Sequence, residues 1–453
     1  MRIAIIGGGL TGLTLAYYLQ QAGLAYDLFE ASDQPGGNLR SVAEAAGYQL
    51  EAGPNSLLLS AELTELLTEL GLDEALEEAA PVSAHRYVLR GGQYRALPAS
   101  PPKLLTSSFF SFKTKLRLLA ELLRRPAPPV PDETVGAFFE RHFGREVVDY
   151  AVAPFVGGIY AGDPYQLQLA LTFPQLAALE QQHGSVLRGL AAGQRAGSGV
   201  RRRTVVLRGG NQRLTDALRS RLTHYHAPAP ITEIRRDALG GYQLLDAAGE
   251  LMGSTKQSTY SHLALALPAY AAAGLLRALH PAAAEALAAV HYPAMTLVYS
   301  AYERAAITHP LAGFGALHPP REGTYAAGAI WTSSLFPGRA PAGQVLFTSF
   351  VGGTPFARQA QAPAAEQLAA VDAELRRLYG ISAPPVWQGR YYWPASIPQF
   401  DARLAAARAA VAPLAPLGIV PVANWMAGVS VPDCVKYARQ VAAQWARAEP
   451  AGA

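Results

Sequence analysis

The N-terminal residues combine a short apolar run, three spaced glycines and a second apolar run. Ile3, Ile5 and Ile6 are typical of a buried strand, and "GGGLTG" at 7–12 follows with the spacing G-x-G-x-x-G. A helical apolar pattern over 13–19 then leads to a strand that ends in Glu30. This order predicts a strand–turn–helix–strand unit, in which free backbone N–H groups at the start of the helix bind a pyrophosphate.

Each part of this unit has a physical role. The first glycine permits the tight turn, the second lets backbone approach the phosphates, and the third allows close packing of helix on strand. Glu30 lies about twenty residues beyond the glycines, where an acid accepts ribose hydroxyl hydrogen bonds and repels a 2′-phosphate. The predicted cofactor contacts in this unit are Gly7, Gly9, Leu10, Thr11, Gly12, Glu30 and Ala31.

A second glycine pair, Gly36-Gly37, directly follows this acid, and a further turn lies in "EAGPNSLLL" at 51–59. A nicotinamide cofactor does not need the second pair. The arrangement resembles the two-dinucleotide-domain flavoproteins of the amine oxidase and phytoene desaturase superfamily, which implies FAD. The cofactor contacts predicted here are Gly37, Asn38, Arg40, Gly53, Pro54, Asn55 and Ser56.

The C-terminal segment "NWMAGVSVPDCV" at 424–435 contains the only cysteine, Cys434. In the superfamily the chain returns here to close the flavin site, and a helix is predicted over 433–446. We interpret Cys434 as a packed small residue, because no histidine lies beside it in sequence to activate a thiolate. We therefore predict one non-covalent FAD per chain. The predicted contacts are Asn424, Gly428, Val429, Ser430 and Val431.

Motifs in the middle of the chain indicate which family of these flavoproteins the chain resembles. "GGIYAGDP" at 157–164, "FPQL" at 173–176, "LRGGNQRL" at 207–214 and "GVSVPDC" at 428–434 follow the order and spacing of one family. The chain resembles the protoporphyrinogen oxidase family, together with its coproporphyrinogen-oxidising relatives, over nearly its whole length. The resemblance implies an adenine contact at Ile231, and a backbone approach to the flavin side of the substrate at Gly158. Implied substrate contacts are Phe314, Leu317, Ile330 and Phe350.

One position departs from the family pattern. Many members carry an arginine after an "ALP" segment, where it pairs with a substrate propionate. Here the matching position is Pro102, followed by Lys103, in "RALPASPPKLL" at 95–105. Lys103 is a point-charge substitute without the bidentate fork, and a solvated surface lysine is the alternative.

We predict an α/β protein, α+β overall, with three parts. Residues 1–60, 200–262 and 400–453 form a Rossmann-type FAD-binding domain. Residues 85–100 and 263–399 form a substrate-binding domain with a mixed sheet, whose strands include 292–302, 324–334 and 344–353, with an Ala/Leu-rich helical stretch over 263–290. Residues 101–199 form a helical insertion.

The activity implied by the resemblance is the six-electron oxidation of a porphyrinogen to a porphyrin in haem biosynthesis, with dioxygen as oxidant and hydrogen peroxide as product. Coproporphyrinogen-oxidising relatives tend to carry a Lys-rich motif where this chain has the apolar "SSLFPGRAP" at 333–341, so the resemblance favours protoporphyrinogen IX. Coproporphyrinogen III is the alternative, and an amine or carotenoid oxidoreductase is a more distant one. A non-catalytic FAD-binding scaffold also stays open. A transient contact with the next haem-pathway enzyme is implied, and both monomer and homodimer stay open.

The segment 100–126 suggests where the protein lies. Leu104, Leu105, Phe109, Phe110 and Phe112 precede a group of cations, and such a surface binds anionic lipid. The cations are Lys113, Lys115, Arg117, Arg124 and Arg125. The alternative is that the Phe residues pack inward. We expect a cytoplasmic protein with salt-reversible attachment to an anionic membrane surface, and we expect no metal and no nucleic-acid partner.

Overall fold

A computed structural model describes residues 1–98, 106–195, 203–253 and 259–449, and its strands form one parallel sheet, one large mixed sheet and three small sheets. The strands are β1 Arg2–Ile6, β2 Ala25–Phe29, β3 Ser41–Ala45, β4 Tyr48–Glu51, β5 Leu57–Leu58, β6 Leu76–Glu78, β7 Tyr87–Arg90, β8 Gln93–Ala96, β9 Thr204–Leu207, β10 Tyr225–His226, β11 Glu233–Arg236, β12 Tyr242–Leu245, β13 Leu251–Met252, β14 His262–Leu265, β15 Met295–Glu303, β16 Gly315–Leu317, β17 Gly328–Ile330, β18 Gln344–Gly352, β19 Trp387–Trp393 and β20 Ile419–Pro421.

Helices connect and cover these sheets. They are α1 Leu10–Gln21, α2 Ala61–Glu69, α3 Phe112–Glu121, α4 Val135–Phe143, α5 Arg145–Val147, α6 Ala153–Tyr160, α7 Leu169–Thr172, α8 Pro174–His183, α9 Val186–Arg195, α10 Arg213–Arg221, α11 Ala269–Leu276, α12 Pro281–Ala288, α13 Thr332–Leu335, α14 Ala357–Ala360, α15 Ala364–Tyr379, α16 Ala402–Val411, α17 Asn424–Ala427 and α18 Val431–Ala448.

The parallel sheet has the order β10-β2-β1-β14-β20, and all of its pairs are parallel. Both of its faces are covered, so β1 is an uninterrupted apolar run. Ile3 and Ile5 pack in one core cluster with residues of α1 and α18, whereas Ala4 and Ile6 pack in another. The predicted Rossmann-type unit is thus present as β1, α1 and β2.

One sequence interpretation was wrong in this region. Residues 263–265, predicted to begin a helical stretch, lie in β14 and pair with both β1 and β20. Periodicity cannot separate a short buried strand from a helix when every residue is apolar. The helices begin later, as α11 and as α12, whose first residue is Pro281.

The mixed sheet has the order β19-β15-β18-β17-β16-β7-β8. The strands predicted over 292–302 and 344–353 are confirmed as β15 and β18, while only 328–330 of the segment 324–334 is a strand. Val298 and Tyr302 of β15 pack with Val371 and Leu375 of α15, so this helix covers one face. The opposite face of the sheet is directed at the end of β4, because the hydroxyl of Tyr299 donates to the carbonyl oxygen of Glu51 (2.8 Å).

The helices α3 to α9 form the helical part between β8 and β9. A buried charged cluster joins them. The two ring nitrogens of His142 lie 3.2 Å and 3.0 Å from carboxylate oxygens of Glu121 and Glu180. Arg141 also pairs with Glu180, and the Glu121 carboxylate accepts from the backbone N–H of Val186 at the start of α9. The cluster therefore ties α3, α4, α8 and α9 together. The domain boundaries themselves stay a prediction.

Candidate active site

The glycine turn between β1 and α1 is shaped by close backbone approach. A Cβ added at Gly12 would lie 2.0 Å from the carbonyl oxygen of Gly7, so only glycine lets the helix pack this closely on the turn. Gly7 itself has φ +110°, which disfavours a side chain. At Gly9, by contrast, an added Cβ would meet no atom within 4 Å. The backbone of Gly9, with Leu10 and Thr11 opening α1, therefore borders open space.

Glu30 lies directly after β2 and faces this turn. Its Oε2 accepts a hydrogen bond from the backbone N–H of Gly8 (2.6 Å), and its Oε1 accepts from the N–H and hydroxyl of Ser32 (2.9 and 2.8 Å). A cavity of about 400 Å³ opens beside it. The cavity is lined by Ile6, Gly7, Phe29, Glu30, Ala31, Ala229, Ile231, Thr232, Leu267, Ala271, Gly274 and Leu275. The residues predicted for ribose and adenine thus share one cavity wall.

The second glycine pair runs alongside the first turn. The N–H of Gly36 donates to the carbonyl oxygen of Gly8 (2.9 Å), and a Cβ added at Gly37 would lie 3.3 Å from the Cα of Gly9. Two backbone segments therefore meet where the sequence predicts the phosphates. This close approach, the open space at Gly9 and the adjoining cavity fit a dinucleotide.

The turn 53–56 lies against this second segment. A Cβ at Gly53 would lie 2.0 Å from the carbonyl oxygen of Asn38, and the N–H of Gly53 donates to the carbonyl oxygen of Arg40 (3.1 Å). The carbonyl oxygen of Pro54 accepts from the amide of Asn211 (2.9 Å). Asn55 and Ser56 then lead to β5, which contacts α18. The turn therefore connects the second glycine segment to the C-terminal helix.

The C-terminal segment reaches the same region. The indole of Trp425 donates to the carbonyl oxygen of Leu267 (3.0 Å), a residue that lines the cavity beside Glu30. Gly428 has φ +129°, and its N–H donates to the carbonyl oxygen of Asn424 (2.9 Å). Val429 follows it, and Ser430 caps α18, which begins at Val431 and packs on α1. The predicted helix is confirmed, with its start two residues earlier than expected.

Cys434 lies in the first turns of this helix and is 7% exposed. Burial, aided by the charge of Asp433, raises the pKa of its thiol to about 12. Its Sγ contacts the carbonyl oxygen of Gly428 at 3.6 Å. A thiol in this environment stays protonated at neutral pH and is a poor nucleophile.

The mixed sheet presents an apolar groove on the face that contacts Glu51. Leu317 lies opposite Gly328 in the register of β16 and β17, and Gly328 lies opposite Phe350 of β18. Opposed residues share a face, as do residues two apart, so Ile330 and its partner Gly315 face the same way. Gly328 therefore lies between Leu317 and Phe350, and Gly315 lies beside Ile330. The three large apolar side chains on this face are all only partly buried. We call this surface the sheet groove.

Phe314 lies at the edge of the sheet groove, and the side chain of Arg86 lies over its ring. The guanidinium of Arg86 lies 4.6 Å from the centre of its ring, within the range of a cation–π contact. The backbone holds the pair in place, because the N–H of Phe314 donates to the carbonyl oxygen of His85 (2.8 Å). Burial lowers the pKa of Arg86, which nevertheless remains charged. No motif in the sequence singled out Arg86, since a lone arginine before a strand resembles any surface cation.

Helix α6 closes one end of the sheet groove. A Cβ added at Gly158 would lie 3.2 Å from Cδ2 of Leu317, so the predicted backbone contact lies beside a predicted substrate contact. Phe155 and Ile159 of the same helix are large apolar residues with exposed fractions of 43% and 38%. Lys103 lies outside the described residues.

The geometry is that of a dinucleotide-binding protein, with an apolar groove on the sheet face that contacts Glu51, next to the turn 53–56. Residues 10–444 match the family of flavin containing amine oxidoreductases, and the chain belongs to that family. Within it, the chain is 33% identical to the chloroplastic protoporphyrinogen oxidase of Oryza sativa subsp. japonica, over 97% of this chain and 87% of the relative. It is 27% identical to the coproporphyrinogen III oxidase of Bacillus subtilis (strain 168), over 96% and 95% of the two chains.

Solved structures show the same fold. A protein from Exiguobacterium sp. 255-15, assigned provisionally as a protoporphyrinogen oxidase, superposes with a TM-score of 0.81 at 22% identity, over 99% of both chains. The resemblance drawn from the sequence motifs is confirmed at the level of family and fold. The cofactor is FAD.

Proposed function

We propose that this protein is an oxygen-dependent, FAD-containing protoporphyrinogen oxidase that converts protoporphyrinogen IX to protoporphyrin IX in haem biosynthesis. The observation that carries the proposal is the sheet groove. Leu317, Ile330 and Phe350 share one face of the mixed sheet with Gly315 and Gly328, and a partly exposed apolar face of this kind suits a flat apolar ring system. The porphyrinogen-oxidising relatives support the same substrate class.

Bound FAD, held non-covalently, supplies a two-electron acceptor that dioxygen regenerates with release of hydrogen peroxide, so six electrons require three turnovers. The side chains assigned to the sheet groove are apolar, and their task is to orient the macrocycle and exclude water. Gly158 keeps α6 close to Leu317, since a side chain there would press on the groove. In this proposal no side chain acts as a general acid or base.

Arg86 is the residue that we assign to a substrate propionate. Its guanidinium lies over the ring of Phe314 at the edge of the groove, and it forms no salt bridge with another residue of the described ranges. A guanidinium held over an aromatic ring keeps its donors available to a carboxylate. Lys103 stays a second candidate for the same role.

The choice between porphyrinogens rests on the wall behind the groove. Leu335 and Phe336 of "SSLFPGRAP" are buried and form one cluster with Val206, against which Phe314 and Ile330 pack. An apolar wall suits the vinyl groups of protoporphyrinogen IX better than additional carboxylates. Coproporphyrinogen III is the second candidate, because a coproporphyrinogen oxidase of Bacillus subtilis is among the relatives.

The assay follows the appearance of porphyrin fluorescence together with hydrogen peroxide. The purified holoenzyme is offered protoporphyrinogen IX, coproporphyrinogen III, phytoene and an amine in parallel. The proposal expects the highest kcat/KM with protoporphyrinogen IX. A higher value with coproporphyrinogen III would move the protein to the second candidate, and turnover of only phytoene or the amine would refute the proposal.

We also propose peripheral attachment to the cytoplasmic face of a membrane through α3. Phe109 and Phe110 are buried, so the expected exposure is wrong for these two residues and the alternative of inward packing is confirmed for them. Leu104 and Leu105 lie outside the described residues. Instead Phe112, Leu116 and Leu119 of α3, and Leu123 of the turn that follows it, have exposed fractions of 75%, 50%, 45% and 81%. We call these four residues the α3 stripe. Lys113 and Arg117 lie exposed among them, a combination that suits anionic lipid.

The attachment is proposed as peripheral. In the described ranges, no helix has both the length and the apolar character required to cross a bilayer. The inner face of α3 is fixed to the protein by Thr114, Leu118 and Glu121, all buried, so the helix can present the stripe without leaving the fold.

A further inference from the structure

Glu51 is a buried carboxylate placed directly before the turn 53–56. It ends β4 and is 4% exposed. Its Oε1 accepts hydrogen bonds from Nη1 of Arg339 (2.7 Å) and from the backbone N–H of Asn211 (3.1 Å). Its Oε2 accepts from the hydroxyl of Ser41 (2.6 Å). Two segments distant in sequence, at Asn211 and Arg339, therefore meet on this one carboxylate beside Ser41 of the paired strand β3.

Arg339 reaches Glu51 from the side of the mixed sheet. It lies between α13 and β18, is 2% exposed, and its N–H donates to the carbonyl oxygen of Phe336 (3.1 Å). Its Nη2 is buried without a hydrogen-bond partner among the described residues, so Glu51 supplies the contact that balances its charge. Burying both charges costs free energy that an apolar pair would not, so the pair is weak evidence for a stabilising role.

The backbone at Glu51 is held from the same side. The hydroxyl of Tyr299 donates to the carbonyl oxygen of Glu51 (2.8 Å), and the indole of Trp393 donates to that of Ala52 (2.7 Å). Both donors belong to the mixed sheet. On the other side, the N–H groups of Ala52 and Gly53 donate to the carbonyl oxygen of Arg40 (2.9 and 3.1 Å). The two residues that precede the turn are therefore bonded to the mixed sheet, and the first residue of the turn is bonded to Arg40.

We propose that the buried Glu51–Arg339 ion pair is a positioning contact, which fixes the turn 53–56 for FAD and couples retention of FAD to the docking of the mixed sheet. The inference rests on the proposed FAD contacts of that turn. Neither Glu51 nor Arg339 is proposed to touch FAD; each acts through the backbone of the turn. A purely structural ion pair would instead stabilise the fold and leave the environment of the flavin unchanged.

The test measures the holoenzyme in two ways that are independent of activity. FAD release after dilution is followed by the fluorescence of free FAD, and the visible absorbance of bound flavin reports its environment. We expect Glu51→Gln to release FAD about tenfold faster or more, because it leaves the charge of Arg339 without a partner, and to shift the flavin bands. Arg339→Gln should act in the same direction, and Arg339→Lys should restore most of the retention because a single donor contacts Glu51.

Glu180→Gln is the matched control. It also breaks a buried carboxylate pair, with Arg141 and His142, but within the helical part. It should lower the Tm and leave FAD release and the flavin bands unchanged. In the double variant E51Q/R339Q the effect should be smaller than the sum of the single effects, since two neutral amides remain.

Two results separate the inference from the site proposal. Asn55→Ala lies within the turn itself; if it leaves FAD release and the flavin bands unchanged, the assignment of the turn to FAD fails. If Asn55→Ala changes them while Glu51→Gln and Arg339→Gln only lower the Tm, as Glu180→Gln does, the positioning role is refuted. If Glu51→Gln does not fold, Arg339→Gln decides by the same two measurements.

Discussion

Leu317 and Phe350 lie on the same face of the mixed sheet with one residue, Gly328, between them in the register. Gly328 has φ +154°, and a Cβ there would lie 2.5 Å from the carbonyl oxygen of Ala316. The gap between the two apolar side chains is therefore built into the backbone. This relationship makes the sheet groove a testable feature.

Phe350→Ala removes one wall of the groove. We expect the KM for protoporphyrinogen IX to rise about tenfold or more, in line with the ~1.5–3 kcal/mol gained on burying a Phe side chain. The spectrum of bound FAD should stay unchanged. Val351→Ala is the control, because Val351 is fully buried and packs with the residues beneath α15. It should lower the Tm without changing KM; equal KM effects in both variants would contradict the groove.

Arg86 should affect substrate binding without affecting the cofactor. Arg86→Gln is expected to raise the KM about tenfold, since a charge-assisted bond to a propionate is lost, and Arg86→Lys should recover part of it. Arg235→Gln, which breaks an exposed pair with Glu233, is the control. A KM that stays the same in Arg86→Gln would leave the propionate to another residue.

Glu30→Ala should weaken FAD binding by about 1–3 kcal/mol, the contribution of hydrogen bonds to a charged group. The N–H of Gly8 would lose its acceptor as well. Asp33→Ala removes an exposed acid nearby and should leave the affinity unchanged. The measurement is the fraction of FAD released from each variant as temperature or denaturant concentration is raised. Unchanged retention in Glu30→Ala would show that Glu30 does not hold the ribose.

Cys434 should be inert in the native protein. With a raised pKa of about 12, only about one thiol in ten thousand is a thiolate at pH 8, and reactivity rises with pH. Alkylation by iodoacetamide should therefore be slow in the holoenzyme and fast after unfolding. Cys434→Ser should keep both FAD and activity, and acid should release the FAD. Yellow colour that stays with acid-precipitated protein would mean a covalent link.

The α3 stripe can be tested with vesicles. The wild-type protein should sediment with anionic vesicles at low salt and dissociate at high salt, because each cation contributes about 1 kcal/mol near such a surface. Leu116→Glu with Leu123→Glu should abolish sedimentation. Leu239→Glu, at a residue that is 96% exposed on another part of the fold, should not. Binding that survives the stripe variants would refute this attachment surface.

The sequence alone determined the features that depend on neighbouring residues. The spacing of Gly7, Gly9 and Gly12 fixes the turn between β1 and α1. A side chain at Gly7 or Gly12 would clash with nearby backbone, and the absence of one at Gly9 leaves its backbone open to a ligand. The C-terminal helix was also predicted, although it begins two residues earlier than expected, after its cap Ser430. The family motifs led to the correct family, and β15 and β18 were predicted from their apolar, β-branched and aromatic residues.

Only the tertiary structure decided which residues meet across the chain. Glu51 and Arg339 are 288 positions apart, and no local pattern reports their contact. Arg86 was missed for the same reason, because its partner Phe314 is far from it along the chain. Phe109 turned inward while Leu123 stayed exposed, although both are apolar residues of one segment. Local preference sets the shape of an element, whereas the side that it buries depends on the surfaces available to cover it.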